Sequence, residues 1–294
     1  MILTAAILGF TLATSPPDSA APQAGDPTAA ARRLAATAQL AAQEYRIGVV
    51  NGRVTAAAEV EEARLFLAEA RRSAALLPAG IADSAMRELD RLTALVASTA
   101  PPDSLAAGVR RLTASVAVRL GVSLEELPDA APSLARGAQV YREECASCHG
   151  DLGRGDGPAG AGLEPAPANL ADAAALHSAS PLDFYRRVSI GVVGTAMPAF
   201  EARLSSNDRW AVAAYATLLR LPRPAGPVPA SLRDFTATAR MSDAQLVAAL
   251  APTGDTSAAR VAAVRSAEPV AGDVGPVFAR VRHQVDSAVA LARG

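Results

Sequence analysis

The chain is 294 residues long, half of them hydrophobic, with 28 basic residues against 29 acidic ones and a net charge of −1. That length suits about two domains. A charge so near zero argues against non-specific nucleic-acid binding and against an electrostatic membrane footprint, and leaves any charge steering local.

Residues 1–27 open on an apolar stretch (Ile2, Leu3, Ile7, Leu8, Phe10, Leu12), followed by Thr14-Ser15-Pro16-Pro17 and small residues up to Pro27. This has the outline of a secretory signal and linker, although no Lys or Arg precedes the apolar run. A periplasmic or extracytoplasmic protein is expected, soluble or anchored through its N-terminus. No other stretch offers the ~18 apolar residues of a membrane-spanning helix. Between residues 28 and 124 apolar positions recur three and four apart, as in Val60, Leu67 and Leu76, or Met86, Leu89, Leu92 and Val96. That is the period of helices burying one face. Breaks at Gly48 to Gly52, Pro78-Ala79-Gly80 and Pro101-Pro102-Asp103-Ser104 predict four helices of roughly 18 residues, enough for a small bundle.

A linker rich in Pro and acid, Glu125 to Pro132, leads to a second domain over residues 133–221. That domain holds both cysteines of the chain in one pentapeptide, Cys145-Ala146-Ser147-Cys148-His149. A C-x-x-C-H run is a c-type haem attachment site: two thiols add to the porphyrin vinyl groups and the following histidine reaches the iron. Three alternatives compete. A structural zinc site needs four N/S ligands, and this run supplies three. A thioredoxin-type pair would follow a strand, whereas Gly137 to Glu144 reads as a helix and Gly150 to Gly157 as a glycine-rich loop. A plain disulfide requires only an oxidising compartment. One covalent haem c, held through Cys145 and Cys148 with His149 on the iron, uses all three side chains.

Gly137, Val140 and Tyr141 precede the motif, and Gly150, Gly153, Gly155, Asp156, Gly157 and Pro158 follow it. Next come Leu163, Pro165, Pro167, Asn169 and Leu170, then Gly194-Thr195-Ala196-Met197-Pro198-Ala199-Phe200, and a helix with Trp210 and Tyr215. With these residues the segment resembles a single-haem cytochrome c domain of the small all-α kind. The resemblance implies His149 and Met197 as the two axial ligands. It also implies a proline carbonyl, of Pro165 or Pro167, as acceptor for the second ring N–H of His149. Of the other methionines, Met1, Met86 and Met241 lie outside the domain. His/Met ligation saturates the iron and raises its potential, which favours electron transfer over oxygen activation. Gly137 and Tyr141 are expected to meet Trp210 or Tyr215 where the first and last helices cross. His177, just before a helix predicted at Pro181 to Ile190, competes for the sixth position but reads as a cap or a solvent-facing residue. Arg136, Arg154, Arg186 and Arg187 are candidates to neutralise haem propionates or to steer a partner.

Proline density at Pro222 to Pro227 marks residues 222–240 as an extended linker. Residues 241–294 read as three more helices, Ser242 to Leu250, Ser257 to Ser266 and Val274 to Ala292, the last bearing a surface His283. They are expected to pack back on the bundle, having too little core of their own. The fold expected is all-α: a helical bundle, a small all-α cytochrome c domain, and C-terminal helices.

The run Glu44-Tyr45-Arg46-Ile47-Gly48-Val49-Val50-Asn51-Gly52-Arg53-Val54, followed by Glu59, Glu61, Glu62, Ala63, Phe66, Leu67 and Glu69, carries a second resemblance. It is similar to the extracytoplasmic helical region of bacterial high-affinity iron permeases that carry a fused cytochrome c domain. Their membrane helices and Arg-Glu-x-x-Glu motif are not matched, Arg87-Glu88 being followed by Leu89-Asp90-Arg91. The likeness is therefore to the extracytoplasmic part, as a stand-alone subunit or a truncated reading frame. It implies an exported cytochrome that passes single electrons to redox protein partners during iron oxidation beside an iron permease in the membrane. Glu44, Glu59, Glu62 and Glu69 are candidate iron carboxylates, against the plainer reading of a solvated acidic helix face. Two other classes stay open: the haem subunit of a periplasmic oxidoreductase, for which the flanks show no nucleotide-binding fingerprint, and an iron-binding accessory module.

Overall fold

The computed structural model describes residues 26–128 and 130–266. The signal-like segment and the helix predicted at Val274 to Ala292, with His283, lie outside the described residues. Helix α1 (Pro27–Gly48) starts where Asp26 Oδ1 accepts the Thr28 N–H at 2.8 Å, with Pro27 in the first turn. A hairpin of β1 (Val49–Val50) and β2 (Arg53–Val54) turns at Asn51-Gly52 and pairs Val49 with Val54; it is the one sheet among the described residues. Helices α2 (Ala57–Ala74), α3 (Ala79–Ala97) and α4 (Pro102–Leu120) follow, broken where the Gly and Pro clusters lie. Leu34, Leu40 and Tyr45 of α1 bury against Phe66 and Leu67 of α2, Leu89 and Leu92 of α3, and Leu105 and Leu112 of α4. Each such side chain contributes ~1.5–3 kcal/mol on leaving water. Leu76 departs from the predicted apolar stripe: it falls past the end of α2 and is 71% exposed.

In the second domain α5 (Leu134–Val140), capped by Ser133, runs into a π-helical turn at Tyr141–Cys145 and then α6 (Ala146–His149). Helices α7 (Ala173–Leu176), α8 (Pro181–Ile190) and α9 (Ser206–Leu218) complete it, with Ser180 and Asp183 forming a capping box on α8. Helices α5 and α9 cross at Gly137, where a Cβ would lie 2.1 Å from the Ala211 carbonyl oxygen. The rings of Tyr141 and Tyr215 meet beside that crossing, 5.5 Å between centroids. Trp210 turns the other way. It stacks on Tyr185 at 4.3 Å, meets Phe235 edge-on at 5.9 Å, and donates its indole N–H to the Glu126 carbonyl at 2.8 Å.

Residues 222–240 do more than the extended linker expected from their prolines, because Phe235 of α10 (Phe235–Thr238) inserts into the Trp210 cluster. Nor do α11 (Asp243–Leu250) and α12 (Ala258–Arg265) pack on the bundle; they close on the second domain instead. The Ala244 N–H donates to the His177 carbonyl at 3.1 Å, and the Leu182 N–H to that of Ala239 at 2.9 Å. The physical reason is a buried charge network: Arg220 at 2.8 Å and Arg265 at 2.9 Å share the Asp243 carboxylate, and neither guanidinium has water to solvate it.

The two domains share a seam. Helix α8 lies across α1, Ile190 enters the bundle core, and Val192 and Val193 pack against it. A Cβ on Gly194 would lie 2.8 Å from Leu65 Cδ1 of α2, so the loop after α8 rides directly on the bundle. Arg33 clamps the seam through Glu69 at 2.9 Å and Glu201 at 2.5 Å.

Candidate haem centre and the carboxylate cluster beside it

The π-helical turn delivers Cys145 to the edge of an apolar cluster made by Val140, Tyr141, Val188, Phe200, Val212 and Tyr215. Such turns recur at functional sites, since one extra residue re-aims the side chains that follow. The buried Tyr141 hydroxyl donates to the Gly150 carbonyl at 2.8 Å and so ties the start of the turn to the loop after the motif. Cys145 and Cys148 are free thiols, and burial, then the nearby Glu144 charge, pushes the Cys145 thiol up to about 12. Burial thus disfavours the thiolate that a metal-thiolate site would need.

His149 Nδ1 lies 3.0 Å from the Ala168 carbonyl oxygen. A carbonyl only accepts, so Nδ1 carries the proton and Nε2 presents its lone pair. Burial holds the ring below its ordinary pKa, against the opposing pull of that carbonyl, and keeps it neutral. The acceptor is thus Ala168 and not the expected Pro165 or Pro167. The Pro167 carbonyl points at Gly155, where a Cβ would stand 2.4 Å from it.

Met197 sits on a braced turn: its N–H donates to Thr195 Oγ1 at 3.1 Å, Thr195 Oγ1 donates to the Val192 carbonyl at 2.9 Å, and the Val192 N–H donates to the Met197 carbonyl at 3.2 Å. Its side chain borders the same apolar cluster as Cys145. An apolar wall edged by a neutral thiol and a thioether, with a neutral imidazole oriented by a carbonyl, is a donor set that fits a haem. His177 caps α7 through the Ala174 carbonyl at 2.7 Å and is exposed. Arg136 makes two bonds to Asp208, at 2.6 and 3.0 Å, and Arg186 meets Asp183 at 3.1 Å, so both are engaged by carboxylates; Arg154 is exposed.

Arg187 has a different partner, the Glu44 carboxylate of α1 across the seam. Glu59 and Glu62 project from successive turns of α2 onto the same place, and carboxylate oxygens of Glu44, Glu59 and Glu62 lie within 4.8 Å of one another. Among the described residues this is the one such group of three metal-ligating side chains, so Cys145, Cys148 and His149 do not converge as a zinc site would. Burial, then the hydrogen bond and charge of Glu44 and the charge of Glu62, raises Glu59 to about 7 against the pull of Arg187. Burial followed by Glu44 raises Glu62 as well. Glu69 is not part of the group, being held by Arg33 and Arg72 at 2.9 and 2.7 Å. The sequence led to the right stretch but to the wrong residue for the carbonyl, Ala168 directly following Pro167, and offered no signal for Arg187 as the partner of Glu44, a contact far apart in the chain.

Two family models match the chain: cytochrome C oxidase, cbb3-type, subunit III over residues 132–215, and the iron permease-associated 4-helix bundle domain over residues 20–117. Among solved structures, a chain of the Kuenenia stuttgartiensis reducing HAO-like protein complex Kustc0457/Kustc0458 is 29% identical, with a TM-score of 0.28, over 38% of this chain and 59% of that one. This chain therefore spans less than two thirds of that relative. No helix among the described residues is long and apolar enough to cross a membrane. The chain thus carries an iron permease-associated 4-helix bundle domain followed by a cbb3-type cytochrome c domain, the pairing of the extracytoplasmic part of cytochrome/iron-permease proteins.

Proposed function

We propose that the chain is an exported c-type cytochrome that carries single electrons through one covalent haem and draws them from ferrous iron bound for a permease. Cys145 and Cys148 would hold the group covalently, and His149 and Met197 would ligate its iron. Bound there, haem supplies one reversible one-electron couple, the acceptor that oxidation of ferrous to ferric iron requires. The Ala168 carbonyl fixes the His149 ring, the braced turn fixes Met197, and the Tyr141/Tyr215 wall excludes water.

The observation that carries the iron step is the position of Glu44, Glu59 and Glu62, three carboxylates within 4.8 Å on the seam that the haem domain closes. Oxygen donors suit a hard cation such as iron. Arg187 comes from α8 and holds Glu44, while Leu65, one turn along α2 from Glu62, lies under Gly194 of the Met197 loop. Substrate iron at this group would sit against the haem domain, beside the helix that leads into the Met197 loop.

Mixing the oxidised holoprotein with ferrous salt under anaerobic conditions tests the reading, with haem absorbance as the signal. The expected reduction rate saturates with iron, and Glu59→Gln/Glu62→Gln slows it roughly 10-fold or more below saturation. A rate that rises linearly with iron and ignores both substitutions would remove the iron step and leave the electron carrier. A chain without a covalent haem band would remove both.

A further inference from the structure

The bundle helices pack in a ring in chain order, so α3 stands diagonally across from α1, the helix that α8 covers. On that far side a groove of about 330 Å³ runs between α3 and α4. Arg87, Arg91, Arg111 and Arg119 line it together with a single carboxylate, Glu88, and two serines, Ser84 and Ser115. Glu88 meets Arg91 at 2.9 Å and Arg111 at 3.5 Å. Arg119 spends one N–H on the Gly80 carbonyl at 3.0 Å, and Arg87 has no carboxylate partner among the described residues. Asp90 does not offset this charge, being engaged by Arg71 on the α2 side, while Asp83, one turn before Arg87 on α3, offsets one of the four cations. The near-zero net charge of the whole chain hides this local excess of cations.

At one end of the groove stand the two most exposed large hydrophobic residues described, Leu76 at 71% and Val118 at 81%. Val118 precedes Arg119, and the Arg119–Gly80 bond joins that end of α4 to the α2–α3 connection that carries Leu76. We propose that this face docks on an anionic lipid bilayer, with the arginines on headgroup phosphates and Leu76 and Val118 entering the headgroup boundary. Guanidinium groups pair with phosphate oxygens in bidentate fashion. Isolated protruding apolar side chains beside a basic face suit an interfacial contact. They do not form the desolvated apolar centre of a protein interface. The haem domain would then face away from the membrane.

Co-sedimentation of the full haem-loaded chain with phosphatidylcholine vesicles, with and without phosphatidylglycerol, tests the proposal. The chain is expected to bind only the anionic vesicles and to be released by salt. Arg91→Gln/Arg119→Gln is expected to lower the partition about 25-fold, at about 5-fold for each arginine near the surface. Arg223→Gln/Arg233→Gln, exposed on the haem-domain side, is expected to leave it unchanged. Helical circular dichroism and the haem spectrum check that both variants are folded. Equal binding to neutral and anionic vesicles, as insertion of the apolar residues near Met1 would produce, overturns the proposal. So does equal loss in both double variants. Binding to neither vesicle also overturns it and leaves the face to an acidic protein.

Discussion

Replacing Gly137 by Ala sets two effects of opposite sign against each other. Alanine is the better helix former by ~1 kcal/mol, so α5 considered alone would gain stability. At the crossing, however, the new Cβ would stand 2.1 Å from the Ala211 carbonyl oxygen, 2.7 Å from its carbon and 2.8 Å from Tyr215 Cβ. None of these atoms can swing aside, because all belong to or adjoin the α9 backbone. Relief requires α5 and α9 to part by about 1 Å. Overpacking of this kind costs ~1–3 kcal/mol, and meeting three rigid atoms at once puts the cost at the upper end. After the helix-propensity gain, a net loss of about 2 kcal/mol remains. With α10–α12 and the bundle packed onto this domain, that lowers the midpoint by roughly 4–8 °C. Thermal unfolding of the holoprotein, followed by haem absorbance and far-ultraviolet circular dichroism, measures it. A variant that unfolds at or above the parental temperature would refute the close crossing.

Met197→Ala is expected to lower the reduction potential and change the absorption spectrum, because a thioether ligand raises the potential of the couple. An unaltered spectrum and potential would place the sixth ligand elsewhere. Glu69→Gln addresses pH: burial alone would raise the Glu69 carboxyl, but hydrogen bonds from Arg33 and Arg72 outweigh it and hold it below its ordinary value. A depressed folded-state pKa gives stability that is full above the unfolded value of ~4.3 and is lost as pH falls through the folded one. The acid limb of a denaturant-derived stability curve should therefore be shallower for Glu69→Gln than for the parent; parallel limbs would contradict the sign.

What could be read from the sequence was what neighbours in the chain decide. The pentapeptide at Cys145 to His149 and the Gly and Pro breaks between the bundle helices are local signals. Long-range choices were not legible. Trp210 and Tyr215 are both aromatic residues on one helix, and only the packing of Phe235 and Tyr185 shows that Trp210 faces away from the α5 crossing. The acidic positions of α2 look alike in sequence. Arg187 lies well over a hundred residues from Glu44, and it is Arg187 beside Glu44, with Arg33 and Arg72 on Glu69, that separates Glu59 and Glu62 from Glu69. Helices α11 and α12 were misassigned for a related reason, since their apolar faces name no partner and the Asp243 network chooses the haem domain.

The seam also bears on how such a chain can be taken apart. Ile190 is buried among bundle residues, and Val192 and Val193 lean on the same core, so the loop that carries Met197 takes part of its shape from helices outside the haem domain. Cutting the chain at residue 129 would leave those three side chains facing water and the loop without its floor. The cytochrome c domain is therefore not a cartridge that can be lifted out and transplanted whole, and a change in the bundle near Leu65 reaches the Met197 loop without touching any residue of the cytochrome fold.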